Sequence, residues 1–212
     1  MSIRRQGCLL ALMIGLCLFP LPTRAQTPET TLRNVQTALD NSDVELFERS
    51  VDLDALISQA VDTFLKEAAT PAGRAALPPV PAMLLSSIAD SESDSSARAL
   101  LHHEMRQFVR YGIRSGAFAG RKPKDPPSAL FSGSALAPLF GDVSLGRKEL
   151  RDISRPIPDG RDMRIAFTVL DHGNGNVYPV IARLSPTDTD WRIVAVTNMR
   201  ALVDQILQET SK

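Results

Sequence analysis

Between Arg161 and Thr210 the hydrophobic period of the chain switches once, from two to about 3.6, and that switch constrains the fold more than any other feature. From Arg161 to Leu170 the side chains alternate. Met163, Ile165, Phe167 and Val169 take one face of a strand, and Arg164, Ala166, Thr168 and Leu170 the other. Asp171-His172 leads into Gly173-Asn174-Gly175-Asn176, residues that reach positive φ at little cost, as a hairpin requires. Val177 to Leu184 returns with Tyr178, Val180, Ala182 and Leu184 on one face. Pro179 lacks an amide proton, which predicts an interruption there or pairing on one side only. Ser185 to Asp190 is rich in turn formers. Trp191 to Thr197 is apolar on both faces, which predicts a strand that is central or covered on both sides. Asn198 then has the side chain to cap a helix whose stripe is Met199, Leu202, Val203, Ile206 and Leu207. A stripe needs a surface to cover, and the meander before it is the nearest one.

The N-terminal half reads as helices. Leu32, Val35, Ala38 and Leu39 form a first stripe, which Asp40-Asn41 ends. Ser42-Asp43-Val44-Glu45 has the form of a capping box, with Ser42 as cap. Asp52 is placed to cap a helix carrying Leu53, Leu56, Ile57, Ala60, Val61, Phe64 and Leu65. Thr70 to Pro81 breaks the pattern, and Met83 to Ile88 suggests a short helix after it. Asp90 to Ser96 reads as an exposed loop. Ser95 or Ser96 then starts a long helix to about Ser115, with Ala97, Leu100, Leu101, Met105, Phe108, Val109 and Ile113 on its apolar side. Ser115 to Gly146 is a long Gly/Pro/Ser/Ala connection in which Ser134–Phe140 is a candidate short helix. Arg147 to Ile157 reads as one weaker strand. The fold class is therefore α+β: a helical N-terminal half packed on a C-terminal antiparallel sheet closed by a helix.

The start of the chain has the grammar of an export signal. Arg4 and Arg5 precede an apolar run from Cys8 to Leu21, and Thr23-Arg24-Ala25 resembles a cleavage site. The run is shorter than the roughly 20 residues a membrane-spanning helix needs. The expectation is a signal peptide over 1–25, cut after Ala25, and a single α+β domain over 26–212 in the periplasm or outside the cell. An uncleaved segment would be the only membrane contact. Both cysteines lie in that segment, so the mature chain would have no disulfide, thiol nucleophile or cysteine metal site. Without Arg4, Arg5 and Arg24, 24 basic and 24 acidic side chains become 21 and 24, a net charge of −3. No basic field of that kind draws a chain to nucleic acid.

Ala38 to Asp62, with Asp43 and then Val51-Asp52-Leu53-Asp54 ahead of a helix, resembles a family of exported bacterial proteins of unknown function. The strand Trp191-Arg192-Ile193-Val194-Ala195-Val196 is similar to the last strands of cystatin-like, nuclear-transport-factor-like cone folds. Together they imply an exported cone-type α+β domain, and neither implies a catalytic residue.

The candidate site is Arg98, His102, Arg106, Arg110 and Arg114, which recur every four residues and so form a slowly winding basic stripe. As a site it would hold a phosphate, a lipid head group or an acidic surface. As a solvated face, its arginines would pair with carboxylates elsewhere. His102-His103-Glu104 does not have the four-residue histidine spacing of a zinc helix. Asp52, Asp54 and Asp62 are better placed as cap and first-turn charges than as acid–base groups. There is no nucleophile elbow, phosphate loop or dinucleotide fingerprint. No metal or cofactor is implied. The expected function is an exported, non-enzymatic module that binds a protein partner or a small apolar or anionic ligand between sheet and helices. The alternatives are a cone-fold isomerase or hydrolase-like enzyme with an apolar pocket near Tyr111 or Tyr178, and an envelope structural or interaction protein acting through its surface.

Overall fold

A computed structural model describes residues 26–76, 95–124 and 145–210. The predicted α+β division holds: helices in the N-terminal half, then an antiparallel sheet and a closing helix. The helices are α1 (Pro28–Asn41), α2 (Val44–Ser50), α3 (Leu53–Ala68), α4 (Pro71–Ala76) and α5 (Ser95–Arg114), followed by a 3-10 turn at Ala117–Ala119. The strands are β1 (Lys148–Arg151), β2 (Ile157–Asp159), β3 (Asp162–Asp171), β4 (Val177–Pro186) and β5 (Trp191–Val196), and α6 (Met199–Thr210) closes the chain. Sheet order is β1-β3-β4-β5, with β2 also paired to β3. Among the described residues no helix is long and apolar enough to cross a membrane. The export segment, the Met83–Ile88 and Ser134–Phe140 helices, and the loop before Ser95 lie outside the described residues.

The alternation in β3 and β4 settles their register. Ile165 pairs with Ala182 and Phe167 with Val180, all four on the buried face. A slip of one residue would turn that whole set to solvent. The buried side chains of Leu32, Val35, Ile57, Val61 and Ile113 meet this face in one core. The space between sheet and helices, where a ligand was expected, is therefore occupied by packed side chains. Phe108 and Phe118 meet edge to face with ring centroids 6.0 Å apart. Gly112 lies under the Phe118 ring, where an added Cβ would fall 2.3 Å from a ring carbon. Only glycine allows α5 that close an approach. α6 packs Val203 and Leu207 on Ala68 of α3, while Ile206 of the expected stripe is half exposed.

Several local expectations change. Asp43, not Ser42, caps α2, because Ser42 is the left-handed residue that ends α1 (φ 60°) and cannot be in both states. Asp52 does cap α3. Asn198 does not cap α6 with its side chain. Its carboxamide instead accepts from Ile181 N–H and donates to the Pro179 carbonyl. At Pro179 the second of the two expected outcomes holds: β4 is not interrupted but pairs on one side only, with Thr168 on β3, and beyond the end of β5 the Asn198 amide takes the Pro179 carbonyl. The expected strand from 147 to 157 is two short strands, split where Asp152 takes a left-handed turn (φ 51°) ahead of Pro156. A six-residue helix, α4, begins at Pro71, where the sequence reads as a break. β5 is an edge strand rather than a central one. Its apolar character reflects cover from the helices: Val51 forms a parallel bridge with Ile193, and Asp52 N–H donates to the Ile193 carbonyl.

Candidate functional site

The basic stripe of α5 meets an acidic row on α2 and α3. Arg98 pairs with Asp62. Arg106 pairs with Asp54 and Glu48, and Arg110 donates to Glu48 at 2.8 Å. His102 Nε2 lies 3.3 Å from the Asp54 carbonyl oxygen. Arg114, one turn on, is exposed. Three of the five candidates are thus turned to the protein's own carboxylates, and His102 to a backbone carbonyl. The hydrogen bond from Arg106 holds the Asp54 carboxyl below its usual range, and Asp54 in turn raises Arg106. Helix-to-helix pairs this close to solvent steady α5 against α2 and α3; they leave little cationic surface for a ligand.

At the hairpin end of the sheet two more clusters meet. Lys148 of β1 and Asp171 of β3 are cross-strand partners and form an ion pair with only 18% and 5% of their side chains exposed. Burial pushes the Lys148 ammonium down, against the opposing pull of Asp171, and the ammonium lies 5.4 Å from the centre of the Phe118 ring. Asp171 also accepts from Gly173 N–H at 2.9 Å, which ties the pair to the turn. Nearby, Glu149 accepts from Arg151 at 2.9 Å and contacts His172 Nε2 at 2.7 Å. Those two bonds, the arginine's first, hold its carboxyl at about 2. Among the described residues no group of three or more His, Cys, Asp or Glu side chains could hold a metal ion.

The second face of the sheet is largely exposed. Alternation turns Arg164 and Ala166 of β3 and Val177, Pro179, Ile181 and Arg183 of β4 away from the helices, all exposed. Ile157 of β2 lies beside Arg164. Ile153, Ile157, Val177 and Ile181 are 39%, 57%, 50% and 37% exposed. Among the described residues they are four of the six large aliphatic side chains most exposed to water, three of them on β2 and β4 and Ile153 in the connection between β1 and β2. At one end Arg164 and Arg183 stand directly opposite each other across the β3–β4 ladder. Arg164 contacts Asp159 at 3.4 Å and Arg183 contacts Asp162 at 3.6 Å, neither through a hydrogen bond. Asp162 also accepts from Ser185 at 2.8 Å. Here Arg161, Asp162, Ser185 and Pro186 line an open groove of about 460 Å³.

Sequence reasoning singled out arginines by helical recurrence and passed over these. The signal was present in the strands themselves: Arg164 and Arg183 sit on the faces that alternation assigns to water, beside Ala166 and Ile181. No protein-family model matches the chain, and neither a curated protein nor a solved structure shows significant similarity to it.

Proposed function

We propose that this chain is an exported, non-enzymatic binding module that engages a protein partner through the open face of its sheet. The carrying observation is the cluster of Ile153, Ile157, Val177 and Ile181 on and beside that face. Several exposed apolar side chains gathered on one sheet face among charged ones favour an interaction site. A broad sheet face suits a protein better than a small ligand, which needs a concave site that wraps most of its surface. Export is supported by the segment from Arg4 to Ala25, and reach of α1 to both margins of the sheet supports the cone-fold resemblance: Thr31 donates to the Trp191 carbonyl and Gln36 accepts from Leu150 N–H. The proposal needs no cofactor. The enzyme alternative calls for a buried acid or histidine beside Tyr111 or Tyr178. The Tyr178 hydroxyl instead donates to Glu209 and accepts from Asn174, at a part-buried margin of the fold.

The test is a photo-crosslinking residue placed at Ile181, with the same residue at exposed His103 of α5 as control, in cells that export the protein. Adducts at 181 that are absent at 103, and that disappear when Ile157 is replaced by aspartate, are the expected result. Equal adducts at both positions, or none at 181, would reject the face. The intact mass tests export separately: a chain beginning at Gln26 is expected, and one retaining residues 1–25 would reject cleavage.

A further inference from the structure

Arg164 and Arg183, at the end of the open face, are held more loosely than the arginines that α5 turns toward α2 and α3. On α5 the guanidinium groups of Arg98, Arg106 and Arg110 are engaged by carboxylates. On the sheet, Arg164 and Arg183 each touch one carboxylate without a hydrogen bond. No hydrogen bond or ion pair to a described residue engages the guanidinium of Arg161. Like charges directly opposite on antiparallel strands are unfavourable, and Arg164 and Arg183 are such a pair. An anionic group set between them reduces that repulsion and uses guanidinium donors that Asp159 and Asp162 contact without hydrogen bonds. Ile157 lies in the same cross-strand row, opposite Arg164, and the exposed pair Ala166–Ile181 is the next outward-facing row, two residues along the strands.

Resting on the open-face reading above, we infer that Arg164 and Arg183 recognise an acidic protein segment that lays an aliphatic side chain on Ile157, Ala166 and Ile181. The adjoining β4–β5 turn carries Asp188 and Asp190. Those charges disfavour an anion on that side and direct the acidic residue toward the arginine pair. A phosphate satisfies the arginines but leaves the apolar side chains unused, and Asp159, Asp162, Asp188 and Asp190 around the pair oppose the broad negative surface of an anionic membrane, so a protein segment with one acidic residue is the occupant that fits both.

The experiment titrates the protein with a short extended peptide of alternating aspartate and isoleucine, and with its asparagine counterpart, following backbone amide NMR signals. The aspartate peptide is expected to shift the signals of Arg164, Ala166 and Ile181. It should bind about tenfold more tightly than the asparagine peptide, and the double change Arg164→Gln and Arg183→Gln should weaken it by about tenfold, as expected for loss of two solvent-facing charge contacts. Arg114→Gln, an exposed arginine elsewhere, should change nothing. Glutamine keeps the strand surface polar, so these variants fold. Equal binding of the two peptides, or no loss in the double variant, overturns the inference. So does occupation of the same amides by inorganic phosphate or by vesicles containing phosphatidylglycerol when the peptide does not bind. If the peptide fails while crosslinks at Ile181 succeed, the face binds a partner of other chemistry; if both fail, the open-face reading falls as well.

Discussion

The side-chain amide of Gln59 on α3 pairs with both backbone groups of Val196: Nε2 donates to the carbonyl at 2.7 Å, and Oε1 accepts from the N–H at 3.0 Å. It takes the place that a neighbouring strand would occupy beyond β5. Gln36 of α1 does the same for β1, accepting from Leu150 N–H at 2.8 Å and donating to the Lys148 carbonyl at 3.4 Å. The edges of a sheet carry unpaired backbone groups that invite other strands. Here helix side chains satisfy them at Val196 of β5 and at Lys148 and Leu150 of β1, which closes those stretches of edge to a partner strand.

Replacing Gln59 with alanine should therefore strand both polar groups of Val196. The expected cost is about 1–3 kcal/mol of stability, read from urea unfolding. Hydrogen exchange at the Val196 amide should accelerate more than at Ala182, which pairs within the sheet. Gln59→Glu should protect the amide but set a carboxylate against the carbonyl. Unchanged exchange at Val196 in the alanine variant would show that the pairing contributes nothing.

Asp171→Ala should be among the more damaging polar substitutions. It leaves the largely buried Lys148 ammonium without its carboxylate and releases Gly173 of the hairpin. A loss of about 3 kcal/mol is expected, since breaking one partner of a buried pair leaves an uncompensated charge. Lys148→Met removes that charge and keeps the side-chain volume, so it should cost less. Thermal unfolding of the two variants gives the comparison, and equal losses would contradict it.

Glu149 gives a signed pH dependence. Its folded carboxyl is held at about 2, below its ordinary value of 4.5. The folded state thus binds its proton less readily than the unfolded state. The stabilisation is fully present above about pH 4.5, declines as pH falls, and is gone below about pH 2. In Glu149→Gln the unfolding midpoint should fall less steeply across that window than in the natural chain. Parallel pH profiles would assign the acid sensitivity elsewhere.

The α5 ladder should behave as a structural device. Arg106→Ala and Arg110→Ala should each cost less than about 1 kcal/mol at low salt, and less still at high salt, because the side chains are partly exposed. Neither change should alter phosphate binding measured by calorimetry. Loss of a binding signal in Arg106→Ala would restore the stripe as a ligand site.

Much of the frame was legible in the sequence for one physical reason: periodicity is local. Alternation in 161–170 and 177–184 set which residues of β3 and β4 face the core, and the 3.6 period set α1, α3 and α6. Asp52 was readable as a cap because its acceptor lies three residues from the amide it serves. Misreadings fell where two local signals compete. Ser42 and Asp43 both suit a cap, and the left-handed turn that ends α1 decided between them. Asn198 suits a cap equally well, yet β4 offered it a free amide and carbonyl from the far side of a turn.

What the sequence determined by itself is the class of fold, the facing of β3 and β4, and the absence of cysteine beyond the first 25 residues. Tertiary structure alone decided which charges are spent. Arg106 and Arg164 look alike along the chain, one recurring on a helix and one alternating on a strand. Glu48 and Asp54 lie more than fifty residues before Arg106 and quench it, while Arg164 meets only Asp159. The reason is that ion pairing depends on distance in space, which local periodicity does not encode.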